Sequence, residues 1–112
     1  VNAMTQAFDK RIDEIEVTLD QAAVAKAKVA ELEERMKRTF AAVAISHMDQ
    51  GKSAAAAEKY ARASKPYGDL SDEWIAANYE SERLQAKVKS NDLRVDIWRS
   101  VNATERAKMN LR

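Results

Sequence analysis

The stretch Phe8–His47 reads FDKRIDEIEVTLDQAAVAKAKVAELEERMKRTFAAVAISH, and it decides the fold. Its apolar residues fall at Phe8, Ile12, Ile15, Leu19, Ala22, Val29, Met36, Phe40 and Val43. Steps of four and three place them on one seam of a helix with a heptad repeat. No Pro or Gly interrupts the run, and at ~1.5 Å per residue the helix extends roughly 60 Å. Such a stripe needs a partner of similar length. Strict heptad counting meets Lys26 and Glu33, with Ala25 and Leu32 one position earlier. The seam is therefore expected to drift toward the 3.6-residue period, with less supercoil.

Around this stretch the helix is expected over about residues 5–48, with Thr5 as its N-cap. Asn2-Ala3 before Met4 reads as a cloning remnant, so residues 1–3 are set apart from a single helical domain over 4–112. Asp49-Gln50-Gly51 ends the helix, because Gly51 takes the left-handed position past a C-terminus without a Cβ penalty. Ser53 caps a short Ala-rich helix over about 54–63, amphipathic through Tyr60. Ser64-Lys65-Pro66 makes the next break. A second long helix begins either at Lys65, capped by Ser64, or near Ser71, and runs to about Asn110.

The second long helix carries Leu70, Trp74, Ala77, Leu84, Val88, Val95 and Trp98 at steps of three, four and seven. Leu93, Ile97 and Val101 form a second apolar edge beside them. A helix apolar over more than one seam has more than one partner. Charge points to antiparallel pairing. The first helix opens acidic (Asp9, Asp13, Glu14, Glu16, Asp20), and the last begins acidic and ends basic (Arg94, Arg99, Arg106, Lys108, Arg112). Exposed pairs contribute only ~0–1 kcal/mol each, so the pattern sets orientation more than stability. The expected fold is all-α: an elongated, coiled-coil-like antiparallel hairpin with a short helix at the turn, assembling into a homo-oligomer.

Composition narrows the function. Hydrophobic residues make up 46%, but much of that is Ala, against two Trp, three Tyr and two Phe. A seam this thin calls for a third helix, a second subunit, or both. The 19 basic and 18 acidic residues argue against a polyanion binder. Without Cys there are no disulfides or thiolate metal sites. No apolar run reaches the ~18 residues of a membrane span, and the start has no signal-peptide pattern. A cytoplasmic protein without membrane association is the expectation.

Catalytic signals are poor. His47 is the only His, and it lacks the Cys or paired carboxylates of a metal site. No Glu-x-x-His or His-Glu-x-x-His pattern occurs, and two glycines cannot build a phosphate-cradling loop. The chain is expected to be no enzyme and to hold no metal and no cofactor. Trp74 and Trp98 are the strongest anchors, as core residues or, for Trp98 beside Arg99, as an interface hot spot. The candidate protein interface is Leu93, Ile97, Trp98 and Val101. An alternative is a nucleic-acid stripe of Arg94, Arg99, Arg106, Lys108 and Arg112, gripping phosphate while Trp98 stacks on a base. Asp92, Asp96 and Glu105 dilute that stripe.

Leu93-Arg94-Val95-Asp96-Ile97-Trp98-Arg99-Ser100, followed by Asn102-Ala103-Thr104-Glu105-Arg106-Ala107, resembles the ending of a group of small phage and prophage proteins. Those read loosely Leu-Arg-Ile-Glu-Val-Trp-Arg, then an Ala-Asn-Arg-Ala-type tail. Tyr60-Ala61 and Pro66-Tyr67 are similar to that group's Tyr-Ala and Pro-Glu-Tyr elements. Lys65-Pro66-Tyr67 does not match residue for residue, and Gly68 departs from the pattern. The resemblance implies a viral or integrated-phage origin, a bacterial host and a DNA-recombination context. It implies no activity and no catalytic residues. The first reading is thus a phage accessory protein that binds a phage or host protein through its helical surface. A nucleic-acid-binding accessory factor in recombination is the second, and a virion component the third.

Overall fold

The computed structural model describes residues 3–111, and for Met4 its backbone alone. Three helices make up the described chain: α1 (Ala3–Asp49), α2 (Ala54–Ala63) and α3 (Lys65–Asn110). Among the described residues there is no strand.

Local chemistry sets each boundary. Helix α1 starts at Ala3, so Thr5 lies inside it rather than capping it. Ala and Met at positions 3 and 4 are good helix formers and suit its first turn. At the other end the Gly51 N–H donates to Met48 O at 2.9 Å and the Lys52 N–H to His47 O at 3.2 Å. With Gly51 at φ 92°, this is a Schellman closure that satisfies two orphan carbonyls. Ser53 caps α2 by accepting the Ala56 N–H on its Oγ at 3.2 Å. Ser64 ends α2 and opens α3: its Oγ donates to Ala61 O at 2.6 Å, and its carbonyl accepts the Gly68 N–H at 3.0 Å. Of the two starts open in the sequence, α3 takes Lys65, with Pro66 in the first turn where no N–H is needed.

The described chain packs as two units: the residues up to Ala22 with those from Glu82 onward, and Ala23–Ser81. In the first unit Phe8 meets Trp98, with ring centroids 5.3 Å apart. Ile12 and Ile15 share a cleft with Asn91 and Val95, so α1 and α3 run antiparallel there. In the Ala23–Ser81 unit the Trp74 Nε1–H donates to Glu33 Oε1 at 3.1 Å. Phe40 meets Tyr67 edge-on at 5.8 Å, and the antiparallel sense is the same.

Burial corrects the expected seam of α1. The buried or half-buried positions through its middle are Ile15, Thr18, Ala22, Ala25, Val29, Leu32 and Met36. These alternate strictly by three and four, so the seam does not drift. Leu19 is 47% exposed while Thr18 is 4% exposed. Lys26 and Glu33 interrupt nothing, because the seam passes through Ala25 and Leu32. Thr18 is tolerated inside because its Oγ1 donates to Glu14 O at 3.0 Å. On α3 the inward positions are Leu70, Trp74, Ala77, Ser81, Leu84, Val88, Asn91, Val95 and Asn102. Of the apolar residues expected on that seam all but Trp98, which is 51% exposed, lie on it, and Ser81, Asn91 and Asn102 take further inward places.

Helix α2 closes the Ala23–Ser81 unit. Ala57 and Ala61 pack on Ala44, with Phe40 and Val43 against them. Small side chains let the two helix backbones approach closely. Arg62 reaches over the Phe40 ring at 5.8 Å. His47 stacks on Tyr60 at 4.7 Å and 17°. Lys52 Nζ lies 2.6 Å from His47 Nδ1 and 4.2 Å from the Tyr60 centroid. His47 is thereby part of the turn's packing.

Candidate interaction surface

The two edges of α3 near its C-terminal end do different things. Leu93, Ile97 and Val101 are each more than half exposed. They succeed one another at intervals of four along the helix and form a ridge on its outer side. Trp98 turns the other way, onto Phe8, and both rings stay half open, at 51% and 45% exposure. The four residues of the candidate interface therefore divide into a ridge of three and an aromatic pair beside it.

The aromatic pair forms one wall of a cleft of about 380 Å³ lined by Ile12, Ile15 and Val95, with Arg11, Arg94 and Arg99 at its edges. The seam positions here are apolar except Asn91, and three cations line the cleft with them. Arg94 and Arg99 were candidates on the sequence, and the fold brings both to Trp98. Arg106 and Lys108 lie further along α3 and do not line the cleft. Lys108 pairs with Glu105 at 3.7 Å. Arg112 lies outside the described residues. The expected five-residue stripe thus supplies two residues to this site. The third, Arg11, escaped the sequence reading. Its position in the sequence, three residues after Phe8 and beside Ile12, places it next to the seam of α1.

The charge pattern acts more locally than its halves suggest. Glu31–Arg35 at 4.0 Å, Glu34–Lys37 at 3.4 Å, Lys65–Asp69 at 3.5 Å and Glu105–Lys108 each join residues of one helix. Among the described residues, none of Asp9, Asp13, Glu16, Asp20, Arg11, Arg94, Arg99 and Arg106 makes an ion pair.

A second concavity, of about 740 Å³, lies in the Ala23–Ser81 unit and is lined by Met36, Phe40, Tyr67, Trp74 and Ile75. Some of its polar groups are engaged: Trp74 with Glu33 and Lys37 with Glu34, while Arg62 lies over the Phe40 ring. Among the described residues no group of three His, Cys, Asp or Glu side chains could hold a metal ion. Nor is any described helix long and apolar enough to cross a membrane.

The fold and this surface define an all-α protein of antiparallel helices with an exposed apolar ridge and a cation-edged aromatic cleft. No protein-family model, curated protein or solved structure matches the chain.

Proposed function

We propose that the chain is a non-enzymatic interaction module, a phage or prophage accessory protein that binds another protein through the end of α3 and the first turns of α1. The observation that carries this reading is the ridge of Leu93, Ile97 and Val101 beside the half-open Phe8–Trp98 pair. Exposed apolar groups clustered in this way mark interaction sites, and Trp with Arg is the composition of interface hot spots. The phage context rests on the resemblance of residues 93–107. A photo-crosslinking residue placed at Ile97 tests the surface in bacterial cells, with Asp72 as control position. Protein adducts at 97 and none at 72 support the module; no adduct at 97 overturns it.

One observation favours a second reading. Arg11, Arg94 and Arg99 meet at Trp98 without acidic partners, which suits phosphate contact with a base stacked on the indole. On this reading labelled single-stranded DNA binds at low salt and is released steeply as salt rises. Trp98→Ala and Arg99→Glu each weaken it. Retention of full binding by both variants refutes it.

A further inference from the structure

Resting on the interaction reading, we propose that the partner on this surface is a second copy of the chain. The acidic first turns of α1 in each copy lie against the basic end of α3 in the other, closing a four-helix arrangement. Three observations converge on this occupant.

The first is how little the unit buries by itself. Among its described residues, only Thr18 and Leu84 are buried. Ile12, Ile15, Val88 and Val95 are half covered, and Phe8 and Trp98 less than that. Two antiparallel helices cover the middle of each seam and leave both flanks open. In the Ala23–Ser81 unit α2 supplies a third element, and there Leu32, Ala44, Ala57 and Ala61 are buried. The unit that ends α3 has no such element. A second pair of helices is what bundle packing supplies at this point.

The second is area. Phe8, Leu93, Ile97, Trp98 and Val101 each expose about half of their surface. Together that is on the order of 500 Å², a large part of the ~800 Å² per partner of a standard stable interface.

The third is the arrangement of charge, which selects a copy over an unrelated partner. Up to Ala22, α1 carries five carboxylates (Asp9, Asp13, Glu14, Glu16, Asp20) against Lys10 and Arg11. From Glu82 to Leu111, seven cations stand against four carboxylates. One face of the unit is acidic and the other basic, in nearly equal measure. A partner of single sign would be drawn to one face and repelled by the other. A two-fold interface requires self-complementarity, with each patch meeting its counterpart. The unpaired Asp9, Asp13, Glu16 and Arg94, Arg99, Arg106 are the groups such an interface brings together.

The experiment is sedimentation equilibrium of the full chain at micromolar concentration and low salt, with helicity followed by circular dichroism. The expected molar mass is twice 12.6 kDa, falling toward 12.6 kDa at high salt. Ile97→Glu raises the dissociation constant at least tenfold with helicity retained. Arg94→Glu with Arg99→Glu does the same, and mixing that variant with Asp9→Lys/Asp13→Lys restores a mixed dimer, which a misfolded variant cannot do. A wild-type chain that stays monomeric at low salt overturns the proposal. So does a monomer that forms its only complex with an oligonucleotide. If the monomer still crosslinks at position 97 to a different protein in cells, the self-association fails while the interaction module stands. If that crosslink is missing too, both fail.

Discussion

Leu32→Ala and Leu19→Ala are one chemical change at two positions of α1, and the structure assigns them different costs. Leu32 is fully buried and is the largest side chain that is. Deleting three of its carbons removes their transfer energy and leaves a cavity, a loss of roughly 2.7–5 kcal/mol in well-packed sites. Its seam neighbours Val29 and Met36 are only half buried and can move inward, which places the loss near the lower bound, at about 3 kcal/mol. Leu19 is 47% exposed, so its truncation forfeits about half of a Leu burial, on the order of 1 kcal/mol, with no closed cavity. Urea denaturation followed by circular dichroism at fixed protein concentration separates the two. With a slope of about 1–1.5 kcal/mol per molar urea, Leu32→Ala shifts the midpoint by roughly 2–3 M and Leu19→Ala by roughly 0.7–1 M. Trp74 shares a unit with Leu32, and Trp98 with Leu19. Fluorescence in single-tryptophan backgrounds therefore follows each change where it acts. Equal shifts for the two variants would refute the register and restore the seam through Leu19, Lys26 and Glu33.

The glycines should respond in opposite directions. Gly68→Ala adds a Cβ that meets nothing within 4 Å inside α3, and should gain about 0.5–1 kcal/mol from helix propensity; Gly51→Ala, forced to φ +92°, should lose about 1 kcal/mol through the backbone alone, both read by thermal melts. Thr18→Val exchanges a buried hydroxyl that only bonds back to Glu14 O for a methyl group, and should raise the denaturation midpoint by the equivalent of about 0.5–1 kcal/mol. Asn91→Leu replaces a half-buried amide on the α3 seam and should raise stability by about 1 kcal/mol; on the proposed self-association it should also broaden the range of species in sedimentation, because polar seam residues fix register at a cost.

Much of the fold was legible because its punctuation is chemical. Gly51, Ser53, Ser64 and Pro66 each have one favourable place at a helix end, and each occupies it. The apolar count places the seam of α1 one position from where the structure has it, because Leu19 is more apolar than Thr18. A hydrophobicity count prefers the leucine, while the fold buries whichever side chain the spacing points inward. The strict alternation through Ala22, Ala25, Val29 and Leu32 was present in the sequence, and continued backward it reaches Thr18. Ser81, Asn91 and Asn102 were missed for the same reason. The ridge of Leu93, Ile97 and Val101 was legible because its exposure follows from its angle to the α3 seam. The cleft was not, since gathering Arg11 with Arg94 and Arg99 requires knowing which turn of α1 lies opposite which turn of α3.

Polarity along the two seams connects this error to the proposed surface. In the Ala23–Ser81 unit the seams carry Leu32 and Leu70, and α2 adds Ala57 and Ala61. In the other unit the inward positions include the polar Thr18, Asn91 and Asn102, and that unit holds no third helix. A heptad pattern of the same length thus yields a closed core in one unit and an open one in the other. Full optimisation of the open unit for its own stability would have placed apolar residues at those three positions. Further apolar side chains stand on the outside, at Leu93, Ile97 and Val101, beside Arg94 and Arg99, which make no ion pair among the described residues. Side chains exposed in this way contribute little to folding, and on the proposed self-association they are buried when a second copy arrives. On that proposal the acidic face of α1 and the basic face of α3 meet between the two copies.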